Sequence, residues 1–213
     1  GTIEAPGGQV LVSARVARGV VDEVIFAGGR IAATAVRQEG GAIVLGGGDA
    51  GTVTVAGHLD VSGREPGQRG GTVDVRGERI ALKDGARIDA SGRAGGGTAR
   101  VGGDLRGQGP GPKAREVTVE RGAAILADAT AAGDGGRVIV WSEEVTRFWG
   151  EISARGGAEG GDGGFAEVSS KGRLDYRGLA DLRATLGRVG VLLLDPTDLQ
   201  IADTPSQDVT VGP

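Results

Sequence analysis

Gly70-Gly71-Thr72-Val73-Asp74-Val75 is one phrase written four times in this chain. Gly96-Gly97-Thr98-Ala99-Arg100-Val101, Gly135-Gly136-Arg137-Val138-Ile139-Val140 and Gly163-Gly164-Phe165-Ala166-Glu167-Val168 keep its form, a glycine pair followed by a short alternating strand. Weaker copies open at Gly7, Gly40 and Gly51. A second phrase answers the first: Leu59-Asp60-Val61-Ser62-Gly63, Ile88-Asp89-Ala90-Ser91-Gly92 and Ile152-Ser153-Ala154-Arg155-Gly156 share apolar, polar, small apolar, polar, glycine. Each repeat therefore holds at least two strands. A period of two sends alternate side chains to opposite faces. The inward set is Leu59, Val61, Val73, Val75, Ile88, Ala90, Val138, Val140, Ile152 and Ala154.

Where nothing is inserted the phrases recur every 26 to 29 residues, too long for a hairpin and suited to one coil of a solenoid. The expected fold is all-β, a right-handed parallel β-helix. With neighbouring strands about 4.8 Å apart, eight to ten coils would make a rod on the order of 40 Å long. A narrow interior accounts for the small aliphatic core, the absence of Met and an aromatic content of 3%. The repeats run without a linker, so residues 1–213 read as one β-helical segment with a loop-like insertion near 93–121. The chain opens in a strand with no helix to cover a first coil, so a segment of a longer protein is expected.

Composition narrows the function classes. The formal charge of −4 is well mixed and gives no electrostatic footprint for nucleic acid. With no Cys there is neither a disulfide framework nor a thiolate metal site. The longest apolar run, Val189 to Leu194, is far too short to span a membrane. Asn is absent, which removes the asparagine ladders that many β-helices use.

From Gly70 to Ile201 the phrases fall in an order that resembles the large exoproteins of the filamentous haemagglutinin type, exported by Gram-negative bacteria through two-partner secretion. The glycine-pair phrases carry it together with Val101-Gly102-Gly103-Asp104, Gly107-Gln108-Gly109-Pro110, Val138-Ile139-Val140-Trp141, Thr146-Arg147-Phe148-Trp149-Gly150 and Leu192-Leu193-Leu194-Asp195-Pro196-Thr197. The resemblance implies a secreted or surface-attached, outer-membrane-associated adhesin, here a non-enzymatic β-helical rod without a cofactor. Its implied partners are an outer-membrane transporter during export and, afterwards, host or matrix glycans or surface proteins. Absence of Cys agrees with a substrate that crosses a pore unfolded. Asp162 and Asp198 stand where related sequences commonly carry Asn, which puts in doubt any role for an amide there. No phrase is a motif of the amino-terminal secretion domain of such proteins, so the chain is expected to lie outside that domain.

Two ligand-binding candidates follow. Strand parity points Trp141, Trp149 and Phe165 outward, where three aromatic faces on adjacent coils would stack on sugar rings; the alternative is that they pack under a loop. Parity points Phe148 and Tyr176 inward. The insertion carries Arg106, Lys113 and Arg115 among glycines and prolines, a basic loop suited to an anionic polysaccharide, or else a solvated excursion over a coil edge. Gly160-Gly161-Asp162-Gly163-Gly164-Phe165 puts Phe165 where a calcium-binding repeat requires Asp, so no metal site is assigned there.

Other classes have weaker claims. A polysaccharide lyase or hydrolase would need paired carboxylates, and Asp60 and Asp89 sit one coil apart on the outward parity. A general acid also needs a raised pKa, and an outward Asp on a solvated strand has no desolvating wall. The single His58 has no partner in its phrase. Haem acquisition has one His, no Cys and no Met to draw ligands from, leaving Tyr176.

Overall fold

The alternating phrases become nineteen strands, among the described residues, and every pairing between them is parallel. The computed structural model describes residues 1–14, 23–36 and 40–198; Ile201, where the family resemblance ends, lies outside them. The strands stack into three faces. The first holds Thr2–Glu4, Arg30–Ala32, His58–Asp60, Arg87–Asp89, Ala124–Leu126, Glu151–Ser153 and Leu179–Asp181. The second holds Gln9–Ser13, Ala42–Gly46, Thr72–Arg76, Thr98–Val101, Arg137–Ser142, the start of Phe165–Tyr176, and Val191–Asp198. The third holds Glu23–Ala27, Thr52–Val55, Arg79–Leu82, Glu116–Val119, Val145–Phe148 and the end of Phe165–Tyr176.

Among the described residues these make seven coils of a parallel β-helix, where eight to ten were expected of the whole chain. A full coil carries a strand on each of three faces, and the insertion consumes residues. Seven coils rise roughly 30 Å. The insertion itself is narrower than 93–121, since Thr98–Val101 and Glu116–Val119 are regular strands and only the chain between them leaves the coil.

Register places like on like. Ile31, Leu59, Ile88, Ile125 and Ile152 form one column through the first face. Ile43, Val73, Ala99, Val138 and Ala166 form another through the second. All ten residues of the inward set have 0% exposure. Phe148 is equally buried and stacks on Tyr176 with ring centroids 5.4 Å apart and planes 9° from parallel, so both aromatics follow the inward parity.

The glycine pairs sit where the first face turns into the second. The glycine just before each second-face strand pinches its own coil: Gly71, Gly97, Gly136 and Gly164, each the second of a pair, and Gly190, which follows Val189, donate their N–H to the carbonyls of Val61, Ala90, Ala127, Ala154 and Leu182, at 2.7 to 2.8 Å. Its carbonyl then accepts from the first strand residue of the next coil, as Gly71 does from Thr98, Gly97 from Arg137, Gly136 from Phe165 and Gly164 from Val191. A Cβ on Gly97 would overlap the carbonyl oxygen of Gly71, and the same collision recurs at Gly71, Gly136, Gly164 and Gly190 with the coil before. Only glycine allows successive corners to approach this closely.

Val75→Asp or Val140→Asp places a carboxylate with no partner in this dry stack. Each variant is expected to lose the cooperative thermal transition of the parent, read by far-UV circular dichroism; a sharp transition retained by both would contradict the register.

Candidate functional site

The chain from Gly102 to Ala114 leaves the coil and lies back over the outer side of the second face. It leaves and returns at one point: Gly102 donates to the Val75 carbonyl at 2.9 Å, and Ala114 donates to the Gly102 carbonyl at 2.7 Å. Asp104 anchors it, accepting from Arg76 at 3.1 Å and pairing with Arg100 at 3.2 Å. Arg76 is itself held by Asp74. A short turn, Leu105–Gly107, follows. Within it Arg106 has φ +52°, the one positive φ of a non-glycine among the described residues. That conformation is costly for a side chain with a Cβ. What holds it is Glu167, whose two carboxylate oxygens accept from the Arg106 N–H at 3.1 and 3.0 Å.

This cover decides the fate of the aromatic candidates. Trp141 does leave the core side of its strand, as parity requires, but its ring lies beneath Gly103 and Gly107 and is 6% exposed. Lys113 stands over it, with Nζ 5.9 Å from the ring centroid. Phe165 is half-buried under the Arg137 guanidinium, 5.3 Å from its centroid. Trp149 is half-buried at another corner and donates from Nε1 to Asp175 at 3.3 Å. Phe165 is in register with Arg137, four residues before Trp141, which puts the two aromatics about 13 Å apart along the strand. The expected outward platform of three rings is thus not present: the loop that was read as a separate basic site covers its central member. Trp141, Arg106 and Lys113 come together under and within the cover. Arg115 lies beyond it and bridges three coils, with Glu144 at 2.7 Å and Glu78 at 3.3 Å.

Glu167 escaped the sequence reading. Its place between Ala166 and Val168 marks it as outward and so as solvated, yet it is fully buried because residues some sixty positions earlier fold over it. Burial pushes its carboxyl above the usual range and nearby Asp195 adds to this, outweighing the Arg106 N–H.

Asp60 and Asp89 are register partners on neighbouring coils, as the 29-residue spacing implied. Asp60 is 5% exposed, which corrects the expectation of a solvated carboxylate. It accepts from Ser62 Oγ at 2.7 Å, Arg30 at 2.7 Å and Arg64 at 2.8 Å. Burial raises its pKa, but the bonds from Ser62 and Arg30 and the charge of Arg64 prevail and hold it below the ordinary carboxylate value. A carboxyl held as the anion is the wrong state for a general acid. The same corner repeats this arrangement: Asp181, in the register column of Asp60 and Asp89, binds Arg183 at 2.7 Å, and Asp128, two residues past the column at Leu126, binds Ser153 at 2.6 Å and Arg155 at 2.8 Å. Aspartate with serine and arginine therefore does at these corners what asparagine ladders do elsewhere. Asp162 behaves likewise, accepting from Arg188 at 2.6 and 2.9 Å.

A stack of seven parallel coils closed by glycine corners defines a β-solenoid, and comparison with known proteins gives it a context. Among solved structures the chain is similar to the HMW1 secretion domain from Haemophilus influenzae, at 29% identity and a TM-score of 0.69. The match covers 89% of this chain and 48% of that one, so the chain spans about half the length of the solved domain. No family model matches the chain, and no curated protein does. The resemblance to filamentous haemagglutinin-type exoproteins drawn from the sequence thus has a structural counterpart. The neighbour is a secretion domain, a part of such proteins outside which the sequence phrases were expected to place this chain. No helix among the described residues is long and apolar enough to cross a membrane.

A carboxyl whose folded pKa is raised takes up its proton more readily when folded, so it costs stability as pH rises from the unfolded value through the folded one. Glu167→Gln removes that cost while keeping an oxygen for the Arg106 N–H. The variant is expected to gain melting temperature over the parent at pH 7 and to lose that advantage below pH 4; an advantage independent of pH would contradict the burial assigned to the carboxyl.

Proposed function

We propose that this chain is a structural section of a secreted, adhesin-type exoprotein, a β-helical rod that holds binding regions away from the bacterial surface. In this reading it leaves the cell unfolded through an outer-membrane transporter and folds outside. The observation that carries it is the likeness to the HMW1 secretion domain over nearly the whole chain, together with a topology in which each strand pairs only with strands of adjoining coils. Coils of that kind can add one after another as the chain emerges, without waiting for distant segments. Absence of Cys removes one obstacle to threading. Glycan contact belongs to the proposal as well. Arg106 and Lys113 at the cover, with Trp141 beneath it, and Phe165, Trp149 and Arg115 at separate places on the rod, are its candidate contacts.

An antibody raised against this chain, applied to intact cells that express the parent protein, should label the surface or detect the chain in the medium, and external protease should remove the signal. A chain found only inside intact cells, protected from protease, would overturn the reading.

A further inference from the structure

A groove of about 630 Å³ follows the glycine corner along the rod axis. Its floor is backbone, the glycine pairs at 96–97, 135–136 and 163–164. Three arginines line it on alternate coils: Arg69 of the third and Arg188 of the seventh stand two residues before the corner glycines, and Arg137 of the fifth opens the strand just after them. Two coil steps are about 10 Å. The acids of the groove are already engaged, Asp162 by Arg188 and Asp134 by the Asp162 N–H at 2.7 Å. Arg69 and Arg137 are different. Both are exposed, and neither has a carboxylate partner among the described residues. Arg69 donates one long bond, 3.4 Å, to the Ala94 carbonyl. Arg137 lies over Phe165, a stack that orients the guanidinium while leaving its N–H edge free for a bidentate acceptor.

The neighbouring concavities lack this feature. In the bowl of about 440 Å³ at the adjacent corner, Arg155 and Arg183 are paired with Asp128 and Asp181. The cavity of about 250 Å³ beside the cover includes Asp195 with its cations.

We propose that the glycine groove binds a linear anionic polysaccharide lying along the rod, its carboxylate or sulfate groups meeting Arg69 and Arg137, with Arg188 at the far end. An acidic peptide is the poorer fit. The N–H groups of Gly97, Gly136 and Gly164 are spent on their own coils, so a peptide strand finds no ladder to join. The glycine carbonyls each accept one strand N–H and retain a second lone pair, which sugar hydroxyls can donate to. This site is distinct from the cover and does not depend on how the chain is exported.

The test is affinity measurement at low salt with heparin and with polygalacturonate, one sulfated and one carboxylated, beside neutral dextran and poly-glutamate. The purified chain should bind one or both acidic polysaccharides, weaken as salt rises, and ignore dextran. Arg69→Gln with Arg137→Gln should reduce affinity about tenfold or more with an unchanged melting temperature, whereas Arg79→Gln with Arg121→Gln, both exposed and away from the groove, should bind as the parent does. Should the double groove variant lose its fold, Arg69→Gln alone carries the comparison, since that side chain is exposed and makes only the one long bond. No binding to either acidic polysaccharide, an equal loss in the control variant away from the groove, or equal affinity for poly-glutamate would overturn the proposal. Surface labelling of the parent protein is unaffected by any of these results.

Discussion

The close approach of successive glycine corners is the constraint on which this molecule rests. Each corner closes its own coil through one N–H and receives the next coil through its carbonyl, so the same residue sets coil shape and coil spacing. A Cβ there would push the coils apart at one edge, and the strand ladders on either side would lose their common spacing. The apolar columns follow from that spacing. Leu59 meets Ile88 and Val75 meets Val101 because the corners between them stand directly one above another. Composition then makes physical sense: glycine fills the corners, small aliphatic residues fill the interior, and little room is left for large rings.

Polar order at the corners is the second layer. With no Asn in the chain, buried backbone and side-chain groups where the first face ends are satisfied by aspartates that bind serine hydroxyls and arginines of the same or the adjoining coil. Asp60 and Asp128 are accommodated at 5% exposure because these partners surround them. The arginines that find no such partner stand out against that background.

Fold and interior were legible because a period-two pattern fixes parity, and parity alone assigned the ten inward residues named from the two phrases, though not those of strands such as Arg79–Leu82 and Glu116–Val119. Parity also sent Trp141 and Glu167 outward, correctly, but outward is not the same as exposed. Whether an outer side chain meets water depends on a long-range fold-back, here the excursion from Gly102 to Ala114. Nothing near Glu167 in sequence signals that Arg106 will reach it. The signal available was indirect: Gly103 and Gly107 offer no side chain against an unusually large neighbour, the ring of Trp141. The third strand of each coil was not legible, since third-face strands such as Arg79–Leu82 and Val145–Phe148 lack a glycine-pair signature. The groove arginines were invisible as a group, since residues 69, 137 and 188 become neighbours only once the coils are stacked.

The central claim, that glycine corners set the stacking, is tested most directly by guanidinium unfolding of Gly97→Ala beside Gly46→Ala. Both add one methyl group to a glycine, but the Cβ at Gly46 meets nothing closer than 3.9 Å while that at Gly97 collides with the coil before. The account predicts a loss of about 3 kcal/mol or more for Gly97→Ala and a change within about 0.5 kcal/mol for Gly46→Ala. Equal midpoints for the two variants would contradict it.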